Sequence, residues 1–329
     1  MIERVLATAI GTVLLTVAAH PAHAALSGAY FDLGDGSDVA YESTTAPVSA
    51  MEVHHYDYGS SFQHAAASFA HQTARARTAL EQNGAQPPGS WITADTGAEF
   101  SKDILVPTGA FGAAGTLISM PLSLRFDGRT LASGGLFGNG RTLSSVDTFF
   151  SFQVLDLDDQ ICSEGCRPRE VASFGFRGQV SFDSGFGAAG RESAASYNWA
   201  ARVDGETIAE DDYDFYHNEP GVTGAGETRY SVNTGLLNLN LVTRTGHTLR
   251  VLSTLDVFAQ SMGNNAWSNV VGDFSRTFDA DLFLPAPGGV LEGETLGVYA
   301  PEPVPLPGTV WALGSALLVL AGRRQRNRA

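Results

Sequence analysis

Residues 148–157, TFFSFQVLDL, and 171–182, VASFGFRGQVSF, decide the fold class. Both alternate apolar with small or polar residues, the period of a half-buried β-strand. Working outward, 116–126 (TLISMPLSLRF) repeats the pattern, with Pro121 marking a sheet edge or a bulge. Residues 196–203, 236–243, 248–259 and 275–284 continue the series, separated by glycine-rich turns such as 137–140 (FGNG). Eight to ten strands without intervening helices predict an all-β, antiparallel sandwich or jelly-roll-like domain over 90–300. No repeat of constant period is visible.

The portion before it, 25–89, reads differently. Residues 60–83 predict one helix: they are rich in Ala, Gln and Arg, offer Ser60 or Ser61 as N-cap, and stop at Asn83-Gly84. Phe62 and Phe69, seven apart, would share its face and dock on the sheet. His54, His55, His64 and His71 crowd this portion, but His64 and His71 would lie two turns apart and could not chelate one ion together. Residues 31–38 (FDLGDGSD) form an acidic turn-rich loop without EF-hand spacing. QPPG at 86–89 is a candidate linker.

Chemistry-bearing groups are few. Glu210, Asp211, Asp212 and Asp214 run into Tyr213, Phe215, Tyr216 and His217. Carboxylates beside aromatics suit a calcium or sugar site, with oxygen ligands for the ion and rings for sugar faces; Asp211, Asp212, Asp214 and Tyr216 are its candidates. The plainer reading is a solvated charged loop, and a glycosidase pair is a third. Asp156, Asp158 and Asp159 form a second acidic cluster. No G-x-S-x-G, phosphate loop, H-E-x-x-H or dinucleotide fingerprint occurs, and the glycines of 185–190 read as a loop, so no catalytic residue, metal centre or cofactor is expected beyond that calcium option.

The ends carry addresses. Residues 1–24 read as a secretory signal peptide: Arg4 in the n-region, an apolar run over 5–19, and Ala22-His23-Ala24 as the small-x-small cleavage site, so that Ala25 begins the mature chain. In an exported chain, Cys162 and Cys166 read as a disulfide closing a small loop; a redox pair or half a zinc site are the alternatives. The formal charge is −15; Glu3 and Arg4 cancel, and four tail arginines are the only charges after Pro307, leaving −19 on the segment between. Such acidity disfavours nucleic-acid partners.

Residues 301–329 have three parts in order. Pro301, Glu302, Pro303, Val304, Pro305, Leu306 and Pro307 form an extended lead; 310–322 are apolar without a charge; Arg323, Arg324, Arg326 and Arg328 form a basic end. Counted from Val304, the apolar part is about 19 residues, close to what a membrane-spanning helix needs. This tail resembles the PEP-CTERM sorting signal of Gram-negative bacteria, in both the PEP and VPLP forms of its opening, and in its apolar run with Trp311. The run 266–277 (AWSNVVGDFSRT), a last strand and a glycine-rich spacer before the prolines are similar in arrangement to exported β-sandwich proteins bearing this tail. The resemblance implies recognition by exosortase, a membrane-embedded cysteine transpeptidase cutting near the proline motif. It further implies transient anchoring in the inner membrane, then display or release at the surface of cells that often make exopolysaccharide. A plain tail anchor or a core helix are the other readings of the segment. The expectation is a non-enzymatic exported β-sandwich of the matrix or biofilm, with a carbohydrate-binding module as the alternative and an extracellular glycosidase behind it.

Overall fold

The computed structural model describes residues 25–32, 38–83, 91–109, 111–162, 165–185 and 190–282. They form twelve strands: β1 (Ala25–Asp32), β2 (Asp38–Ser43), β3 (Val48–Tyr56), β4 (Gly59–Ser68), β5 (Thr73–Gln82), β6 (Trp91–Leu105), β7 (Leu117–Ile161), β8 (Arg167–Asp183), β9 (Arg191–Val203), β10 (Glu206–Glu219), β11 (Gly226–Arg244) and β12 (Thr248–Leu282). The chain divides into two compact units, Met1–Leu296 and Gly297–Ala329; all the described residues belong to the first. The segments read as a signal peptide and a sorting tail lie outside the described residues.

Two long strands organise the fold. β7 and β12 pair antiparallel in two runs, Arg141 to Asp156 against Asn264 to Leu249, and Leu122 to Leu136 against Leu282 to Ala266, with a further break where Phe278 follows Asp273 in the register. Between the two runs β7 carries 137–140 against the single Asn265. Unequal lengths bend a strand pair, and here both strands cross from one sheet to another. Sheet A runs β2-β1-β6-β12-β7-β8-β9-β10 through one half of the pair. Sheet B runs β3-β4-β5-β12-β7-β11 through the other. All pairings are antiparallel, and the sheets pack as a β-sandwich. The glycine-rich 137–140, expected as a turn between strands, is thus a bend within one: both flanks keep β12 as partner, so the chain does not reverse there.

The alternation read from 148–157 and 171–182 sets the interior. Phe150, Phe152, Phe174 and Phe176 of sheet A are buried against Phe126, Phe274 and Phe278 of sheet B. Phe126 meets Phe150 at 4.9 Å and Phe176 at 4.7 Å, and Phe278 meets Phe150 at 4.6 Å. Such tilted ring pairs add to the burial of their area. Pro121 sits where its missing N–H costs little: the described pairing of β7 with β12 ends at Leu122, leaving Pro121 paired with Asn240 of β11.

The helix expected over 60–83 is instead the hairpin β4–β5. Its register runs from Gly59 opposite Gln82 to Ser68 opposite Thr73, with Gln72 at positive φ in the turn. Alanine favours helices, yet here Ala65, Ala67, Ala74 and Ala76 fall on alternate positions and are buried. Small side chains at period two let the hairpin lie close on sheet A, and pairing with β12 supplies the backbone hydrogen bonds that a lone helix would make internally. Buried polar groups lock it: Gln63 Nε2 donates to the carbonyls of Asp32 (2.9 Å) and Asp95 (2.6 Å), and Thr78 Oγ1 lies 2.6 Å from Thr96 Oγ1. The shared helical face of His64 and His71 disappears with the helix: His64 is on β4 and His71 in the turn after it.

The cluster Asp156, Asp158, Asp159 is a structural knot. Asp156 is buried and accepts hydrogen bonds from Thr243 Oγ1 (2.9 Å) and the amides of Asp158 (3.1 Å) and Asp159 (3.2 Å). His247 Nδ1 lies 2.9 Å from Asp156 Oδ2. Asp158 accepts from the Thr248 amide, and Asp159 pairs with Arg169 at 3.0 Å. The ends of β7, β8, β11 and β12 are tied together there. Beyond it, Cys162 and Cys166 are disulfide-bonded.

Candidate functional site: a groove on the outer face of sheet A

Four neighbouring strands build the site. The solvent-facing phase of β7 presents Phe149, Ser151 and Gln153; that of β8 presents Ser173, Gly175 and Arg177. Residues Asn198, Ala200 and Arg202 follow from β9, and Glu210 and Asp212 from β10. The register sets them in rows: Phe149–Arg177–Asn198–Asp212 in one, Ser151–Gly175–Ala200–Glu210 in the next. Larger side chains in the first row, against Ser151, Gly175 and Ala200 in the second, leave an open cavity of about 680 Å3.

Gly175 explains the floor. A Cβ there would meet nothing within 4 Å, so packing does not require glycine at this position. Phe149 stands beside the floor, 50% exposed, although its neighbours Phe150 and Phe152 are buried. Glu170 is held at one end, accepting from Ser173 Oγ (2.7 Å) and Gln153 Nε2 (3.4 Å). Ring face, guanidiniums, amide and carboxylates thus converge on one concavity. That set suits a ligand with both apolar faces and many hydroxyls.

Strand alternation splits the predicted acidic residues. Glu210, Asp212, Asp214 and Tyr216 share the outer face of β10, whereas Asp211, Tyr213, Phe215 and His217 face the other way. Glu210, Asp211 and Asp212 all line the cavity, Glu210 and Asp212 from this outer face; Tyr216 is 63% exposed farther along the strand. Asp211 instead accepts from Tyr197 Oη (3.3 Å) and from the Asp212 amide (3.0 Å), and Tyr213 stacks on Tyr197 at 5.6 Å. Burial, then the charge of Asp211, raises the Tyr197 pKa. Among the described residues no group of three or more His, Cys, Asp or Glu side chains is placed to hold a metal ion, and no helix is long and apolar enough to cross a membrane. The proline motif, the basic tail, Ala22 and Ala24 lie outside the described residues; Ala25 opens β1 opposite Lys102.

Sequence reading missed Phe149, Gly175, Arg177, Asn198 and Arg202. One signal was there to find. Phe149 is an aromatic in the same strand phase as the polar Ser151 and Gln153. An out-of-phase ring on a strand with one wet face points to something that covers it.

A second set of groups flanks the groove across Phe149. Asp256 of β12 lies opposite Phe149 on one side and Gly97 of β6 on the other. The ring of Tyr30 occupies the space over Gly97, where a Cβ would come 1.7 Å from its Cζ. Asp256 therefore sits between two aromatic residues, its Oδ1 buried without a partner, and burial pushes its pKa up to about 7. Asp95, with Asp32 and Asp38 nearby, is pushed up to about 6, first by burial. Burial also raises Asp147, against the pull of Arg177.

No protein-family model matches this chain, and no curated protein does. A solved structure of the infectious bursal disease virus Gx strain aligns with 92% of this chain and 68% of its own, at 11% identity and a TM-score of 0.08. That score carries no argument about fold or function.

Proposed function

We propose that the protein is an exported, non-enzymatic β-sandwich, sorted by exosortase and displayed at or released from the cell surface, where the sheet A groove binds exopolysaccharide. The observation that carries the binding reading is the cavity over Gly175. An exposed phenyl ring and several hydrogen-bonding side chains surround a floor of small residues. Sugars present C–H faces for a ring and hydroxyls for planar polar groups, and such sites act by position rather than by bond-making chemistry. Export rests on the terminal segments; the Cys162–Cys166 bond fits an oxidising compartment.

Two measurements test this. Glycan-array binding, with and without calcium, should give hits that Phe149→Ala weakens about tenfold, the scale of one lost aromatic contact. An array without hits, or hits indifferent to Phe149, refutes the groove. Intact mass of the protein recovered from culture supernatant should begin at Ala25 and end near 301–307; a mass retaining Arg323 to Arg328 refutes exosortase processing.

A further inference from the structure

We infer that the groove selects polysaccharide bearing uronic-acid carboxylates, held by the guanidiniums of Arg177 and Arg202. This rests on the groove being the glycan site and goes further, to the class of glycan.

Carboxylates far outnumber basic side chains in this protein. Residues 25–307 carry −19, and the described arginines among them are mostly spoken for. Arg125, Arg129, Arg141, Arg169, Arg191, Arg229 and Arg250 each pair with a carboxylate. Arg244 donates to the Gly115 carbonyl and Arg77 lies over the Phe62 ring. With so many carboxylates available, an arginine on a rigid strand that has none beside it stands out. Arg167, Arg177 and Arg202 make no side-chain ion pair or hydrogen bond within the described residues; Arg167 is exposed at the start of β8, whereas Arg177 and Arg202 both line the groove.

The carboxylates nearest to them are otherwise engaged or set back. Both oxygens of Glu170 take hydrogen bonds from Ser173 and Gln153. Asp147 is two residue pairs along the strand from the Phe149–Arg177 pair and feels Arg177 without an ion-pair contact. Asp212 shares a row with Arg177 but is separated from it by Asn198, and Glu210 is separated from β8 by Ala200.

The two forks are placed to work together. Arg177 lies opposite Asn198, and Arg202 lies opposite Ser173, so they are offset by four strand positions, about 13 Å along the sheet. Between them the floor is Gly175 and Ala200. A chain of sugars lying on the small residues would span that backbone offset. A guanidinium offers a carboxylate two parallel N–H donors, a match that neutral hydroxyls do not make. Glu210 and Asp212 on the β10 side would accept from hydroxyls and repel a carboxylate bound out of register, which adds selectivity.

The experiment compares one polymer in two charge states: polygalacturonate and its carboxyl-reduced, neutral form, by titration calorimetry at fixed ionic strength. The protein should bind the acidic form at least tenfold more tightly. Arg177→Gln and Arg202→Gln should each weaken the acidic form about tenfold, as loss of a charge-assisted hydrogen bond does, and change the neutral form less than twofold. Gly175→Trp, on an exposed strand position with free space above it, should abolish both. Equal binding of the two forms, still lost in Gly175→Trp, overturns the acid selectivity and keeps the groove. Binding of both forms that survives Gly175→Trp overturns the groove and this inference with it. Dextran sulfate bound as tightly as polygalacturonate overturns the assignment to carboxylates in favour of an unselective polyanion site.

Discussion

Replacing Asp256 with Asn should change how stability depends on pH. In the folded protein Asp256 is wedged between Phe149 and the Tyr30 ring over Gly97, and its pKa is about 7 instead of 3.8. The groups around it are Asp95 and Glu99 on β6, Asp147 on β7, Tyr30 on β1 and, across Phe149, Arg177 on β8. The folded state therefore holds a proton that the unfolded chain releases near pH 4. A raised carboxyl pKa leaves stability intact below the unfolded value and erodes it as pH rises through the folded value. Three pH units at 1.36 kcal/mol each give a loss of about 4 kcal/mol between pH 4 and pH 8.5. Asn keeps the shape and carries no charge at any pH. The assay is urea unfolding of both proteins at pH 4, 5.5, 7 and 8.5 with the disulfide intact. The gap between them should move by about 4 kcal/mol in favour of the variant as pH rises, roughly 10 °C in Tm. The variant's stability should still fall between pH 4 and 7, because Asp95 titrates near 6. Two curves that stay parallel across the range would refute the idea that Asp256 is buried and uncompensated.

Three further outcomes are expected. Asp156→Ala should cost about 3 kcal/mol in urea unfolding, since it orphans Thr243 Oγ1 and two backbone amides at the meeting of four strands, while leaving glycan binding unchanged. Gly97→Ala should cost about 1–3 kcal/mol by driving a methyl into the Tyr30 ring, and Tyr30→Ala in the same chain should recover part of that; a neutral single variant would mean the ring moves freely. Reducing Cys162–Cys166 should lower stability by about 2 kcal/mol, the loop-closure value for so short a ring, read as a shift in urea midpoint with and without reductant.

The strands were legible because their signal is local. TFFSFQVLDL and VASFGFRGQVSF place Phe150, Phe152, Phe174 and Phe176 in one phase, and burial follows that phase. The hairpin β4–β5 was misread because alanine's helix preference is weak, and twenty-odd residues of it were outweighed by a partner strand, β12, nearly two hundred positions away. The groove was half legible. The carboxylates near Asp212 stand out as a run of like residues, and all of Glu210, Asp211 and Asp212 line the cavity, but a run on a strand divides between two faces, so the Asp211 carboxylate accepts from Tyr197 while Glu210 and Asp212 share the outer face. Gly175 and Arg202 had no distinguishing context in their own segments.

By itself the sequence determined the fold class, the core-facing phase of most strands and the spacing that allows the Cys162–Cys166 bond. Each depends on neighbours a few residues apart, and a period of two or a five-residue ring is readable over that distance. Only the tertiary structure decided that β7 and β12 bend through both sheets, that the alanine-rich segment pairs rather than coils, and that Phe149, Arg177, Arg202 and Glu210 surround one floor. These are matters of register between strands that meet across long stretches of chain. Register is fixed by the summed packing of the two sheets, a quantity no single segment contains.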